Sequence, residues 1–353
     1  MSSVDTNLRK NMTKKEIFLN NLKGELTSAV PVWMMRQAGR YMPEYQKLRQ
    51  QYSFEKICKT PEIAAEVTCQ PMEKFDFDAA IIFSDILYII EPFGFSLVYD
   101  PGPKIEPHIS DPSITSKFVP YDPAQYLGFV AEGITEVKRR LGPDYPMIGF
   151  CGAPFTIFCY LCGVMGAKDY HKPYQFLSNY PTETAAVLDA IAEVSLEYLK
   201  MQIEAGADYV QVFDTFAGEL SEEEFRIWAQ PYLAKIFDGL KAYGRGFSGL
   251  FIRNSNHLLR AVAELNLDCF SVDWKTSMGE AARIFDQKCV QGNLNPYLMS
   301  GPQERVVEQT QSILAAMDGV PGFIFNLGHG ILPNASMDNV AAVVKAVHSY
   351  RRK

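Results

Sequence analysis

The sequence predicts an α/β protein: a single (β/α)8 barrel of the TIM type, with its active-site cleft at the C-terminal ends of the strands. Eight short apolar runs recur along the 353 residues, helical patterns separate them, and no linker or low-complexity tract divides the chain. Strands of a parallel sheet that helices cover on both faces read as such near-continuous apolar runs. Barrels of this kind often reach this length as one domain.

The eight runs have the length of strands and stop at polar or glycine-rich turns. We predict strands at Val32–Met35, Ala79–Phe83, Met147–Cys151, Tyr209–Phe213, Gly249–Ile252, Cys269–Val272, Cys289–Gly292 and Phe323–Leu327. Only residues 89–120 break the alternation of strands and helices. This segment is rich in proline and glycine, so we expect a small hairpin or loop over the barrel mouth.

Helix start and stop signals mark the gaps between the runs. A capping box at Ser221 and Glu224 predicts a helix towards Tyr243, which Pro231 should interrupt. A similar signal at Thr182 predicts the start of a long helix. The other predicted helices are defined by apolar periodicity, proline at their starts or glycine at their ends. The full set, besides the Ser221 helix, is Pro61–Phe75, Pro123–Leu141, Thr182–Ala205, His257–Glu264, Met278–Phe285, Pro302–Met317 and Ser336–Tyr350.

Charge is unevenly distributed along this acidic chain. The net charge of −7 argues against a general nucleic-acid binder. Residues 1–50 carry nine Lys or Arg and four Asp or Glu, a net +5, whereas the remainder carries 25 and 37, a net −12. A solvated basic extension at about residues 1–25 explains part of this excess. It does not explain Arg36, Arg40 and Arg49, which predict a basic cleft that attracts a polyanionic ligand.

Composition also bears on location. No run of 18 apolar residues appears, which predicts no membrane span, and the polar N-terminus lacks the apolar core of a secretory signal. The seven cysteines form an odd, unpatterned set, which favours free thiols in a reducing cytoplasm. Cys159 and Cys162 have the spacing of a redox or metal motif, but without further ligands nearby we interpret them as core residues. The five histidines show no metal-binding spacing, and no phosphate-binding glycine motif appears, so no cofactor is expected.

Arg36 and Arg40 follow the first apolar run, within the stretch PVWMMRQAGRYMPEY. The guanidinium group stays charged and donates two parallel hydrogen bonds to a carboxylate. Isolated surface arginines commonly have no such role. Here Gly39, the preceding strand and flanking aromatic side chains favour a turn that binds carboxylates.

Polar residues also follow the other predicted strands, at the end where barrel enzymes carry their reactive groups. Asp85 is the strongest candidate for catalysis, although a carboxylate in this position also caps helices. Asp273 and Asn293 are equally compatible with holding loops or contacting a ligand. His329, between two glycines, is expected to contact a ligand. The residues that follow the strands are Arg36 and Arg40, Ser84 and Asp85, Gly152–Tyr160, Asp214 and Thr215, Arg253 and Asn254, Asp273 and Trp274, Asn293, and Gly328–Gly330.

Six short sequence motifs resemble those of the uroporphyrinogen decarboxylase family. They are PVWMMRQAGRYMPEY, AAIIFSDIL, GFCGAPFT, VFDTFAG, QGNL and NLGHGI, in family order from residue 31 to about 332. Two small departures occur: Asn295 stands where the family usually has Asp, and Thr215 where Ser is common. The resemblance implies a (β/α)8 barrel without a cofactor, which binds uroporphyrinogen as a homodimer with facing clefts.

The resemblance also implies roles for single residues. Asp85, Arg36, Tyr160 and His329 would be catalytic, with Asp85 facing the pyrrole N–H groups. The set that would bind substrate is larger and comprises Arg36, Gln37, Ala38, Gly39, Arg40, Arg49, Asp85, Tyr160, Thr215 and His329. The implied reaction converts the four acetate side chains of the substrate to methyl groups, with loss of CO2.

Two other classes of function remain open. A corrinoid- or zinc-dependent methyltransferase could use a related barrel, but His257 and His329 have no nearby cysteine in the sequence. A porphyrin-binding module without catalysis would bind the ligand and release no CO2.

Overall fold

The computed structural model describes residues 12–164 and 169–352, and it shows an α/β fold built on one parallel sheet. Seven strands pair in the order β1-β4-β5-β6-β7-β8-β9, and β2 and β3 form a separate antiparallel hairpin. The strands are β1 (Ala80–Ile81), β2 (Ser96–Tyr99), β3 (Pro103–Glu106), β4 (Met147–Gly152), β5 (Tyr209–Asp214), β6 (Phe247–Ile252), β7 (Cys269–Ser271), β8 (Cys289–Leu294) and β9 (Phe323–Leu327). The predicted α/β class with a parallel sheet is therefore confirmed.

Burial on both faces explains why the sequence marks these strands well. Every residue of β4, β5, β8 and β9 is buried. In the pairing register, Tyr209 of β5 lies opposite Ile148 of β4 and Phe247 of β6. The predicted bounds of β4 to β9 hold within two residues at each end, and those of β9 hold at both ends.

The sheet curls so strongly that side chains from non-adjacent strands meet. Gln291 of β8 donates through Nε2 to Oε1 of Gln211 on β5, at 2.6 Å, although two strands lie between them. The Tyr209 hydroxyl donates to the same oxygen at 2.6 Å, and Trp33 Nε1 donates to Gln291 Oε1 at 3.0 Å. All four side chains are buried, so this polar cluster lies inside the curve of the sheet.

The predicted strand Val32–Met35 is not formed, and the prediction for that run was wrong. Residues 31–35 make a single parallel bridge, between Val32 and Phe325 of β9. Towards β1 the contact runs through Asp78, whose amide donates to Val32 O and whose Oδ2 accepts from Val32 N, both at 2.8 Å. Asp78 also lies 3.0 Å from His348 Nε2. An aspartate side chain thus replaces part of the strand pairing, which is also why β1 has only two residues.

Residues 12–164 and 169–352 form fourteen α-helices and five 3-10 helices around the sheets. Five of the α-helices have no counterpart in the predictions, since they are short or lack apolar periodicity: Lys14–Leu22, Pro43–Gln51, Phe54–Cys58, Pro154–Leu161 and His171–Asn179. Those with a counterpart are Pro61–Phe75, Pro123–Leu141, Pro181–Glu204, Glu222–Trp228, Gln230–Tyr243, Leu259–Ala263, Met278–Ile284, Gln303–Ala316 and Met337–Ser349, together with the 3-10 helix Asn256–Leu258.

Two predicted helix starts had different outcomes. The capping box at Ser221 is present: its hydroxyl accepts from Glu224 N at 3.2 Å, and Glu224 Oε2 accepts from Ser221 N at 2.8 Å. The helix is interrupted at Ala229, and Pro231 lies in the first turn of the second helix. The cap at Thr182 is absent, because the helix already begins at Pro181 and Thr182 lies within its first turn.

The N-terminal region that the structure describes is a packed helix. Phe18 and Leu22 of Lys14–Leu22 are buried, and Lys14 pairs with Asp76 at 2.6 Å. This part of the predicted basic extension is therefore integrated into the fold, while residues 1–11 lie outside the described residues.

The predicted hairpin within residues 89–120 is present. β2 and β3 pair antiparallel from Ser96–Glu106 to Tyr99–Pro103, between 3-10 helices at Tyr88–Phe93 and Pro112–Lys117. Across residues 12–164 and 169–352, no helix combines the length and apolar character needed to cross a membrane.

Candidate active site

A cleft of about 260 Å³ opens at the carboxyl ends of the strands. Its walls are mostly apolar, and Arg36 and Asp85 are the charged residues that line it. The hairpin contributes Pro103, which places β2 and β3 at the mouth. The other lining residues are Met35, Gln37, Ala38, Ile81, Ile82, Phe83, Ser84, Ile86, Leu87, Phe150, Tyr160, Phe213, Thr215 and His329.

Arg36 enters the cleft from a turn with an unusual backbone conformation. Its φ angle is +62°, in the left-handed region that a residue with a Cβ atom avoids. Such a conformation costs about 1–2 kcal/mol, and strained residues of this kind concentrate at functional sites. Here the turn directs an exposed guanidinium group to the cleft instead of continuing the chain along the sheet.

Asp85 follows β1, lines the cleft and also holds its own loop. Its Oδ1 accepts from the Leu87 amide at 2.9 Å, within the loop before the 3-10 helix Tyr88–Phe93, and this helix has no side-chain cap. Burial raises the pKa of the Asp85 carboxyl, and the Leu87 amide, the Tyr99 hydroxyl and the Arg36 charge oppose this rise. A carboxylate with so little water around it interacts strongly with any donor or cation that enters.

Tyr160 and Thr215 lie on the wall between β4 and β5. Tyr160 is near the end of the helix Pro154–Leu161, and its ring packs on Phe216 with centroids 5.0 Å apart. Burial, and next the charge of Asp85, raise the pKa of the Tyr160 hydroxyl, so it stays protonated and can donate. Thr215 directly follows β5 and lines the cleft beside it.

His329 is a neutral imidazole in this site. Burial and the charges of Arg36 and Arg253 lower its pKa to about 3. Its ring makes edge contacts with Phe251 at 5.8 Å and Trp274 at 6.2 Å between centroids. A neutral imidazole can donate one hydrogen bond and accept another, which differs from the role of an imidazolium acid.

The residues between the two arginines differ in position. Gln37 is buried, and its side chain binds the backbone: Oε1 accepts from Met34 N at 3.1 Å and Nε2 donates to Ala79 O at 3.0 Å. Its side chain therefore supports the turn from below, while the residue also lines the cleft. Ala38 lines the cleft, whereas Gly39 does not.

Arg40 and Arg49 lie outside the cleft, so the predicted pair Arg36 and Arg40 is separated. Both side chains are exposed. Burial raises the pKa of Tyr45 to about 12, and the charges of both arginines oppose this rise. The Tyr45 ring packs on Phe83, with centroids 5.3 Å apart. Since Phe83 lines the cleft, these two arginines form an outer rim one side chain away from it. Arg49 Nη1 also donates to Tyr52 O at 2.6 Å.

Asp273 and Asn293 hold loops. Asp273 accepts from Asn254 N at 2.6 Å and from the Thr276 hydroxyl at 2.7 Å. Asn293 Nδ2 donates to Asp273 O at 2.8 Å and to Thr276 O at 2.7 Å. Both are buried and absent from the cleft lining, so of the two interpretations, holding loops or contacting a ligand, the contacts favour the first.

Asp214 lies beneath the cleft, at the end of β5. It is fully buried and accepts from the Thr156 hydroxyl at 2.6 Å. Burial raises the pKa of its carboxyl to about 7. The same Thr156 oxygen accepts from Phe216 N at 3.1 Å, so Asp214 and Thr156 fix the turn that carries Thr215.

Two residues near the cleft were not selected from the sequence. Arg253 follows β6 and influences His329 and Tyr160 through its charge. The sequence places Arg253 directly after a predicted strand, and a positive charge in that position was the feature that could have marked it as a site residue. Tyr99, the last residue of β2, opposes the rise that burial causes in the pKa of Asp85, and no apolar run in the sequence marks this strand.

The cysteines and the candidate metal ligands are as follows. All seven cysteines are free and buried, Cys159 and Cys162 among them. Within the described ranges 12–164 and 169–352, no three His, Cys, Asp or Glu side chains are placed to hold a metal ion together.

Fold and site together define a class of protein: a parallel α/β enzyme whose cleft, at the carboxyl edge of a curled sheet, opposes one carboxylate to guanidinium groups. The sequence matches the uroporphyrinogen decarboxylase (URO-D) family over residues 13–350. It is 38% identical to the uroporphyrinogen decarboxylase of Geobacter sulfurreducens over 337 residues, which is 95% of this chain and 99% of that protein. It is also 38% identical to that of Saccharophagus degradans, covering 95% and 96%. The chain belongs to the uroporphyrinogen decarboxylase family.

Solved structures show the same fold at lower identity. A methyltransferase from Methanosarcina mazei superposes with a TM-score of 0.81 and 22% identity, covering 96% of this chain and 98% of that one. A B12-independent methionine synthase from Shewanella sp. W3-18-1 has a TM-score of 0.56 and 13% identity, covering 91% and 94%. These likenesses concern the fold alone.

Proposed function

We propose that this protein decarboxylates the four acetate side chains of uroporphyrinogen III and yields coproporphyrinogen III, in tetrapyrrole (haem) biosynthesis. The observation that carries the proposal is the position of Asp85. Its carboxylate lines a mostly apolar cleft, close enough to Arg36 and Tyr99 for both to affect its pKa. The family relationship indicates the substrate, and this cleft would hold its ring of pyrroles.

Asp85 would stabilise positive charge on the substrate. Protonation of a pyrrole carbon beside the acetate-bearing carbon gives an iminium-like cation. The bond to the carboxylate then breaks, its electron pair neutralises the cation, and CO2 leaves. A second proton completes the methyl group, and the first proton leaves the ring carbon, which restores the neutral pyrrole. A carboxylate that is already fixed by Leu87 and poorly hydrated interacts more strongly with this cation than with the neutral ring.

The cleft residues would divide the remaining tasks. Arg36 binds a substrate carboxylate through its fork, which makes it the primary anchor. Tyr160 and Thr215 donate hydrogen bonds from one wall, and the neutral His329 donates one from another. Ala38 and Gln37 shape the cleft through their backbone, while Arg40 and Arg49 attract the octa-anionic substrate from the rim.

The sheet would form a complete eight-stranded barrel when segment 31–35 is counted as its eighth member. The bridge to Phe325, the contacts with Asp78 and the bond from Trp33 to Gln291 support this closure. We further propose a single barrel domain that acts in the cytoplasm as a homodimer and needs no cofactor.

The decisive experiment incubates the purified protein with uroporphyrinogen III under anaerobic conditions and separates the oxidised porphyrins by chromatography. We expect products with seven to four carboxylates, undiminished after dialysis against a strong chelator. Asp85→Asn should fold and lose nearly all turnover, whereas Asp85→Glu should retain a little, since displacement by ~1 Å can cost ~100-fold. The matched control is Asp189→Asn, at an exposed ion pair with Lys235.

Each adverse outcome has a distinct meaning. Absence of CO2 loss in the wild-type protein would refute the proposed reaction and favour a binding module. Loss of activity on chelation, restored by a metal, would favour the methyltransferase class. Normal turnover in a folded Asp85→Asn variant would show that the carboxylate serves its loop only.

A further inference from the structure

Arg253 lies across the cleft from Arg36. Counting round the sheet, three strands separate segment 31–35 from β6 on one side (β1, β4 and β5) and three on the other (β7, β8 and β9). Arg36 follows that segment and Arg253 follows β6, both at the carboxyl edge. The two guanidinium groups therefore start from opposite sides of the same opening.

The charge of Arg253 lies close to that opening. Arg253 is in the turn directly after β6, just outside the cleft lining, and Phe251, two residues earlier, has its ring 5.8 Å from that of His329. The charge of Arg253 affects the pKa of both His329 and Tyr160, two side chains that line the cleft. Arg36 affects the same two groups from the other side.

The guanidinium group of Arg253 is only partly satisfied within the chain. The side chain is 20% exposed, and its Nη2 lies 3.6 Å from Glu219 Oε1, beyond hydrogen-bond distance. That oxygen already accepts from Asn254 Nδ2 at 3.2 Å. The buried Nε of Arg253 has no hydrogen-bond partner. Since a guanidinium group has five donors, this arginine retains capacity for another anion.

We propose that Arg253 is a second carboxylate-binding residue of the site, which takes an acetate or propionate group of the substrate on the wall opposite Arg36. The inference rests on the proposed function, because it is a substrate with carboxylates around its whole perimeter that calls for anchors on both sides. A carboxylate would accept from the two terminal nitrogens of the guanidinium group, in a bidentate geometry that arginine favours. Glu219 holds the side chain in place until the substrate arrives.

The test compares Arg253→Gln and Arg253→Lys with wild type in steady-state decarboxylation of uroporphyrinogen. Loss of a charged hydrogen bond predicts a fall in kcat/KM of about 10- to 150-fold for Arg253→Gln, expressed mainly in KM. Arg253→Lys should recover part of it, because lysine keeps the charge but lacks the fork. Arg305→Gln, an exposed arginine paired with Glu308, is the matched control and should behave as wild type.

A second measurement detects the position of the charge without any turnover. Histidine NMR of Arg253→Gln should show a higher pKa for His329 than in wild type, because Arg253 lowers it. An unchanged KM in a folded Arg253→Gln protein, with active wild type, would overturn this inference and leave the proposed function intact. Inactive wild type would instead refute the proposed function. Should Arg253→Gln fail to fold, full activity of Arg253→Lys would likewise overturn the need for a fork.

Discussion

The aliphatic part of Arg36 lies directly against the backbone of Gly330: a Cβ atom built on Gly330 would come within 2.4 Å of Arg36 Cδ and 2.8 Å of its Cγ. A side chain at position 330, beside His329, would therefore collide with Arg36 unless the Arg36 side chain moved. The contact couples the turn after residues 31–35 to the loop after β9.

Gly330→Ala should displace the Arg36 side chain and lower kcat/KM by about 10- to 100-fold, since ~1 Å of misplacement can cost ~100-fold. Thermal unfolding should change much less than activity, because Arg36 is exposed and has room to move. Gly128→Ala is the control, as a Cβ atom there meets nothing within 4 Å. Normal kinetics in Gly330→Ala would mean that the position of Arg36 is not critical.

Tyr99→Phe should shift the acidic limb of the kcat/KM profile to higher pH. The Tyr99 hydroxyl lowers the pKa of Asp85, so its removal lets that pKa rise, and the active carboxylate is lost at a higher pH. Hydrogen bonds to charged groups correspond to a shift of about one pH unit or more. Tyr126→Phe, at an exposed tyrosine, should leave the profile in place.

His329 should remain neutral throughout the pH range 5–8. Its pKa is about 3, below the usual value of about 6.5. Its contribution to stability is therefore present above pH 6.5 and is lost as the pH falls towards 3. Two-dimensional NMR of labelled histidine, with the signal assigned by its loss in His329→Gln, measures this directly; titration near pH 6.5 would contradict the structure.

Asp214 should make the protein less stable as the pH rises. Its pKa is about 7 in the fold and about 3.9 when unfolded, so its stabilising contribution is complete below the lower value and disappears through pH 7. Between pH 5 and 7 the loss amounts to about 2 kcal/mol. Denaturant unfolding of Asp214→Asn should lack this component, whereas Asp189→Asn should retain it. Parallel curves for wild type and Asp214→Asn would refute the assignment.

The homodimer is a prediction that depends on the family. Light scattering at micromolar concentration should give twice the mass of one chain. A monomer mass under conditions of full activity would contradict it.

Apolar runs predicted those strands that are buried on both faces, because a continuous apolar run indicates burial. The run Val32–Met35 is equally buried but forms one bridge, since a run reports burial and does not report pairing. The turn with Gly39 that follows this run lies at the cleft, where Arg36 and Ala38 line the wall; its role in binding remains a prediction. Whether Arg36 and Arg40 point into the cleft or away from it depends on the left-handed backbone at Arg36, and the spacing of the two residues does not reveal that conformation.

Side-chain partners were the other part that the sequence could not supply. Gln37 stands between two arginines in a motif, yet its side-chain amide bonds to the backbone at Met34 and Ala79 and to Met72 Sδ. Burial raises the pKa of Asp85, and Tyr99 opposes this rise from a hairpin that is separate from the parallel sheet. Such contacts join residues that are distant in sequence, and one sequence contains no record of them.

The contact of residues 31–35 with Asp78 has a consequence for how the protein moves. Few contacts join residues 31–35 to the start of β1: two hydrogen bonds with Asp78, and one from Gln37 Nε2 to Ala79 O at 3.0 Å. Regions held by few contacts open at a lower free energy than the core of a sheet. Arg36 lies just beyond one side of this joint and Asp85 beyond the other, so we expect its opening to change the separation of these two charged groups. A ligand that loses one carboxylate after another and must reseat each time would meet a cleft whose width is adjustable at this joint.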